Sequence, residues 1–225
     1  MANTDVLGFW KIAEADPDHL AIVDPDHEQM TFGELYALTN QIVHGLRALG
    51  LHPGDQVTTV LPNSFEQVAI CLAAFQGGFY VTTVNWHLVG PEISYIVNDS
   101  ETKALIVNAR FGDEATRVLE DCDTPEANRF VIGGEVGGFR SFGELIDGQP
   151  TERPDDLGAT GSFMFYTSGT TGRPKGVRRP LSPAHPDESA SGGLLYLFGT
   201  KPHDDNVQIT QAPLYHTAVN NWTTM

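Results

Sequence analysis

Apolar residues recur every three or four positions through Leu35, Leu38, Ile42, Val43, Leu46 and Leu49, the spacing that lines one face of a helix. Thr31-Phe32-Gly33-Glu34 stands just before them and fits a capping box, in which the Thr hydroxyl and the Glu carboxylate satisfy N–H groups left free by the first turn. Gly50 is the expected stop. Beyond it the pattern shortens. Residues 56–60 and 80–84 read as strands, separated by a helix that Pro62-Asn63-Ser64 opens and Gly77-Gly78 closes. Gly90-Pro91-Glu92 starts a third helix, because Pro at the first helical position lacks only an N–H that would be unpaired there anyway. Residues 104–107 and 130–132 are further buried strands, 114–119 is helical between them, and Ser141-Phe142-Gly143-Glu144 repeats the capping-box pattern. Asp16-Pro17-Asp18 and Asp24-Pro25-Asp26 flank a strand-like 20–23 and read as hairpin turns with solvated charge. Helices and strands alternating at this spacing predict an α/β fold, a largely parallel sheet flanked by helices. The polar, Pro-containing stretch 148–160 is a connector joining two layers of one domain.

At 225 residues with 40% apolar side chains, the chain has enough to bury a sizeable core. Thirteen Lys and Arg against 29 Asp and Glu give a formal charge of −16, which argues against nucleic acid and anionic membranes as partners. No apolar run reaches the roughly 18 residues of a membrane span. The start lacks the basic and apolar regions of a secretory signal, so the expected compartment is cytoplasmic. Cys71 lies in the apolar run 68–75 and reads as a small hydrophobe, and with Cys122 as the only other cysteine no disulfide framework or metal motif follows. His87, His185 and His203 lack the spacing and carboxylate partners of a metal site, so no resident metal is expected.

Chemistry concentrates after a short apolar strand at 162–166, which runs into Thr167-Ser168-Gly169-Thr170-Thr171-Gly172-Arg173-Pro174-Lys175-Gly176. Glycines at 169, 172 and 176 allow backbone angles closed to other residues, so consecutive N–H groups can turn toward one concavity that suits an anion. Thr167, Ser168, Thr170 and Thr171 add hydroxyl donors, and Lys175 adds a mobile point charge suited to phosphate oxygens. Taken alone, such a turn also reads as a plain flexible loop. Arg173, Lys175, Arg178 and Arg179 place four of the chain's 13 basic residues within seven positions. That cluster is either a local site for negative charge or a hairpin arm with solvated Arg. A Walker A loop is disfavoured, since Lys175 has no Ser or Thr after it.

The twelve residues Tyr166 to Val177 resemble the signature loop of the adenylate-forming superfamily of acyl-CoA synthetases, luciferases and peptide-synthetase adenylation domains. Leu46-Arg47-Ala48-Leu49-Gly50, Pro53-Gly54-Asp55-Gln56-Val57 and Leu61-Pro62-Asn63-Ser64 are similar to that family's amino-terminal pattern, and Ala212-Pro213-Leu214-Tyr215-His216 resembles a downstream motif whose His lies beside the acyl carboxylate. The chain departs from the pattern at Thr82-Thr83-Val84-Asn85, where relatives carry an apolar segment ending in Pro before the Asn. Trp86-His87 and residues 178–186 resemble bacterial fatty-acyl and sterol-side-chain CoA ligases.

The resemblance implies a partial amino-terminal domain of the adenylate-forming enzyme fold, spanning 1–225, in a carboxylate–CoA ligase acting on a fatty or related acid. Its cofactors would be ATP with Mg2+, and coenzyme A the co-substrate. Thr167, Ser168, Gly169, Thr170, Thr171, Gly172 and Lys175 would form the phosphate loop, and His216 would face the substrate carboxylate or the α-phosphate; a lone His is more often structural, and it is the motif that favours the functional reading. Asn220, Asn221 and Trp222 would either line the acyl pocket or pack as a core helix. Family members are more than twice as long, so the adenine motif, the ribose-binding acid, the hinge and the small domain with the catalytic Lys would lie beyond Met225. This piece is expected to be inactive by itself, and surface exposed by the truncation leaves either self-association or instability open. Competing expectations are a noncatalytic polyphosphate-binding remnant and an adenylation domain for another acid.

Overall fold

The computed structural model describes residues 8–155, 159–167, 173–184 and 206–224. Two short strands, β1 (Leu20–Val23) and β2 (Gln29–Thr31), pair as an antiparallel hairpin. The remaining strands are β3 (Gln56–Val60), β4 (Tyr80–Thr83), β5 (Thr102–Asn108), β6 (Arg129–Ile132), β7 (Arg140–Ser141), β8 (Ser162–Thr167) and β9 (Lys175–Arg178), and they form a sheet in the order β7-β6-β5-β3-β4-β8-β9. Every pair in that sheet is parallel except β8 with β9. The largely parallel sheet expected from the sequence is the one observed.

Successive residues of a strand point to opposite faces, and both faces here are covered. Ala104 and Ile106 of β5 pack with α1 (Phe9–Ala15), α2 (Phe32–Ala48), α3 (Phe65–Gly77) and α6 (Gly143–Ile146), whereas Leu105 and Val107 pack with α4 (Gly90–Asp99) and α5 (Gly112–Val118). Burial on two sides explains why 104–107 of β5 and 130–132 of β6 read as continuous apolar runs rather than alternating ones.

The helix signals act as expected at α2. Glu34 N–H donates to the Thr31 hydroxyl at 3.2 Å and Thr31 N–H to the Glu34 carboxylate at 2.8 Å, and accepting that bond lowers the carboxyl pKa below its ordinary value. Gly50 takes φ 89° just past the end. Ser64 caps α3, whose C-cap Gly78 is left-handed at φ 75°. At α4 the Glu92 carboxylate accepts from Val89 N–H at 3.1 Å.

Two local readings differ. Phe142 is buried and already helical, so the Ser141 hydroxyl accepts from Gly143 N–H at 3.2 Å instead of from Glu144, and the second capping box is only half formed. Asp24-Pro25-Asp26 is indeed the β1–β2 turn, with Asp24 Oδ1 accepting from Asp26 and Glu28 N–H at 2.9 Å each. Asp16-Pro17-Asp18 instead links α1 to β1, and Pro17 holds the start of α2 by accepting from Gly33 N–H at 2.8 Å. Helix α1 itself was not legible in the pattern.

Cys71 and Cys122 are free, and burial pushes the Cys71 thiol up to about 12, as suits a packed hydrophobe. A second buried polar group joins the helices: Trp10 Nε1 donates to Gln76 Oε1, and Gln76 Nε2 to Asn40 Oδ1, both at 2.6 Å. Among the described residues no helix is long and apolar enough to cross a membrane, and no cluster of His, Cys, Asp and Glu could hold a metal ion.

Candidate nucleotide and carboxylate site

The signature stretch begins where β8 ends. Thr167 faces Lys175 across the β8–β9 hairpin, followed inward by Tyr166 with Gly176 and Phe165 with Val177. Both Thr167 and Lys175 are exposed, and among the described residues no carboxylate pairs with Lys175. Ser168, Gly169, Thr170, Thr171 and Gly172 lie outside the described residues. Gly176 is not among the positive-φ residues, so no special backbone angle requires glycine there; a Cβ would stand 2.3 Å from Met164 Cε, the end of a flexible side chain, and 3.0 Å from the Tyr166 ring.

The hairpin rests on α4. Tyr95 Oη donates to the Pro174 carbonyl at 3.0 Å, and the Arg173 guanidinium sits 5.0 Å from the Tyr95 ring centroid. Tyr166 Oη donates to Asp99 Oδ2 at 2.6 Å, and its pKa is raised by burial and then by that carboxylate. Arg178 donates to the Ser100 carbonyl at 3.0 Å and lies over the Tyr80 ring. The Arg residues of the basic cluster are thus partly absorbed by the hairpin arm.

His216 is reached through a different set of contacts. It is exposed and directly precedes α7 (Thr217–Thr223). Asn63, just after β3, clamps the turn before it: the Asn63 amide donates to the Ala212 carbonyl at 3.1 Å and accepts from Leu214 N–H at 2.8 Å, across 149 and 151 residues of sequence. Tyr215 meets Trp86 edge-on at 6.3 Å, and Trp86 stacks on Phe111 at 5.2 Å. Asn220 is buried with its amide 3.5 Å from the Thr83 hydroxyl, so Thr83 has a polar neighbour, and Asn220 takes the core-packing alternative. Asn221 is half-buried, and the side chain of Trp222 lies outside the described residues.

Strands β3, β4 and β8 run parallel, so the segments following them emerge at one end of the sheet. Asn63 follows β3, Trp86 follows β4 and the signature loop follows β8. The carboxyl ends of parallel strands are where open α/β sheets bind ligands. Sequence reading placed Thr167, Lys175 and His216 in the site but missed Asn63, Tyr95 and Asp99; Asn63 stood in a family-like segment with no role attached. Replacing Asn63 by Ala removes both clamp bonds and is expected to cost about 2 kcal/mol at 1 kcal/mol each. Amide hydrogen exchange at Leu214 should quicken while that of β3 stays protected, and unchanged exchange there would show that the clamp holds nothing.

Residues 9–224 match the AMP-binding enzyme family. The chain is 32% identical over 169 residues to 3-oxocholest-4-en-26-oate–CoA ligase of Rhodococcus rhodochrous, covering 72% of this chain and 30% of that protein. It is 31% identical over 209 residues to the long-chain-fatty-acid–CoA ligase FadD13 of Mycobacterium tuberculosis, covering 92% of this chain and 40% of the relative. The crystal structure of the N-terminal domain of FACL13 from Mycobacterium tuberculosis superposes with a TM-score of 0.74 at 26% identity, over 96% of this chain and 52% of that one. The chain therefore spans less than half the length of these two CoA ligases. With a family match running through both the signature hairpin and the Asn63-clamped turn, this chain belongs to the AMP-binding enzyme family.

Proposed function

We propose that this chain is the amino-terminal part of a carboxylate–CoA ligase that activates a fatty or related acid. In the first step a carboxylate oxygen attacks the α-phosphorus of MgATP and the bond to the β-phosphate oxygen breaks, releasing pyrophosphate. In the second, the coenzyme A thiolate attacks the acyl carbon and AMP leaves. The protein supplies positioning and charge, so donor groups placed where negative charge builds up carry much of the acceleration. Thr167, Ser168, Gly169, Thr170, Thr171, Gly172 and Lys175 cradle the β- and γ-phosphates, and Mg2+ arrives with the nucleotide. His216 orients the carboxylate or contacts the α-phosphate. The reading is carried by one observation: the exposed Lys175, with no carboxylate partner among the described residues, opposite Thr167 at the carboxyl end of a parallel strand. Relatives named for long-chain fatty acids and for 3-oxocholest-4-en-26-oate support an apolar acid as substrate.

The decisive experiment is carboxylate-dependent ATP–pyrophosphate exchange on these 225 residues and on the longest chain the gene encodes. Exchange is expected only in the longer protein, and Lys175→Ala should lower its kcat/KM about 100-fold, the scale seen when one preorganised donor is lost. No exchange in either chain, across aliphatic, sterol-derived and aromatic acids, would leave a noncatalytic polyphosphate-binding remnant as the reading that stands. Exchange with amino acids alone would instead make it an adenylation domain for another acid.

A further inference from the structure

The β8–β9 hairpin outruns its sheet. Strand β8 pairs with β4 only through Ser162 and Phe163, whereas it pairs with β9 from Met164 to Thr167. The end that carries the signature loop is therefore a two-stranded ribbon, and a ribbon of two strands holds its shape poorly in water without a further surface to pack on. Helix α4 is that surface. Tyr95 and Asp99 are four residues apart and so share one face of the helix a turn apart. Tyr95 takes the returning arm, donating to the carbonyl of Pro174, next to Lys175, and holding the Arg173 guanidinium over its ring. Asp99 takes the outgoing arm, accepting from Tyr166, next to Thr167.

We propose that Tyr95 and Asp99 are positioning residues for the phosphate site: gripping both arms from one helix face, they fix Thr167 and Lys175 in the place where nucleotide phosphates are received. This rests on the reading of Lys175 as a phosphate ligand. Neither residue touches the nucleotide. Their grip converts part of the ordering that binding would otherwise have to supply into order present beforehand, and the loss should therefore be felt in nucleotide affinity rather than in carboxylate affinity.

Two measurements test it, one without recourse to activity. In the 225-residue chain, Tyr95→Phe keeps the ring under Arg173 and removes only the hydroxyl, while Asp99→Asn weakens the acceptor for Tyr166. Amide exchange across residues 175–178 should speed about 10-fold in each variant, one lost hydrogen bond's worth, with the protection of β3 and β5 unchanged. In the longest chain the gene encodes, the same variants should raise KM for MgATP about 10-fold in ATP–pyrophosphate exchange and leave KM for the carboxylate where it was. Tyr166→Phe should reproduce Asp99→Asn, and the double variant should lose no more than either single one. Unchanged exchange at 175–178 overturns the positioning role whatever the activity. Faster exchange there combined with an unaltered KM for MgATP also overturns it, leaving a merely structural contact. If the hairpin responds as expected but the parent protein shows no pyrophosphate exchange and Lys175→Ala has no effect on nucleotide binding, it is the ligase reading that fails.

Discussion

Gly161→Ala is expected to destabilise the fold by about 3–5 kcal/mol, combining overpacking with the loss of two backbone hydrogen bonds. A Cβ at this position would stand 2.1 Å from the Ala74 carbonyl oxygen and 2.3 Å from that of Phe79. Both are backbone atoms, so no rotamer change relieves the contact. Gly161 N–H donates to Phe75 O at 2.8 Å and Ser162 N–H to Phe79 O at 3.1 Å, and these bonds seat the start of β8 on the end of α3. Making room for a methyl group means lifting β8 off that seat and stretching both. In a chain of 225 residues such a loss corresponds to a fall of about 10 °C in Tm, read by thermal denaturation. Because β8 ends at Thr167, the shift also travels to the hairpin, and under the proposed ligase function pyrophosphate exchange by the longest chain the gene encodes should fall with it. A melting temperature within a degree or two of the parent would show that β8 is not seated as described.

Nothing in the sequence marks Gly161 as special, and the reason is general to this fold. Gly50 and Gly78 are legible because each follows a periodic apolar helix and takes a positive φ that only local sequence has to explain. Gly161 is required by atoms 82 to 87 residues earlier, which no local pattern records. The same division runs through the rest of the molecule. Helices α2, α3 and α4 could be read from caps and spacing, and β5 and β6 from apolar runs that both faces of a covered sheet demand. Helix α1 could not: it has seven residues, no side-chain cap at Gly8, and buries Phe9, Trp10 and Ala13 against neighbours far along the chain. In the site, Thr167 and Lys175 were found because their motif is contiguous. Asn63, Tyr95 and Asp99 were not, since each acts on a backbone or side chain 67 to 151 residues away.

A second large effect belongs to the buried amide of Gln76. It is fully buried on α3, accepts from Trp10 Nε1 on α1 and donates to Asn40 Oδ1 on α2. Asn40 in turn donates to the Thr151 carbonyl at 2.7 Å, so one chain of bonds fastens three helices and the connector. Gln76→Leu preserves most of the volume and adds apolar surface, which by area alone should stabilise by up to about 2 kcal/mol. It also strands two buried polar groups, the Trp10 N–H and the Asn40 oxygen, at about 1–3 kcal/mol each, with the further loss of the bonds themselves. Asn40 has no escape by turning its amide over, because its nitrogen already serves Thr151. The polar cost outweighs the apolar gain, and a net loss of about 2–4 kcal/mol is expected in denaturant unfolding. Adding Trp10→Phe should then cost less in the Gln76→Leu background than in the parent, since one of the stranded groups is removed with the indole. These residues pack among the α1–α3 helices, and their hydrogen bonds involve neither Lys175 nor His216, so under the proposed ligase function the substrate KM values of the longest chain the gene encodes should hold while its Tm drops. Equal or greater stability in Gln76→Leu would mean that the network is held by packing, with its hydrogen bonds contributing nothing.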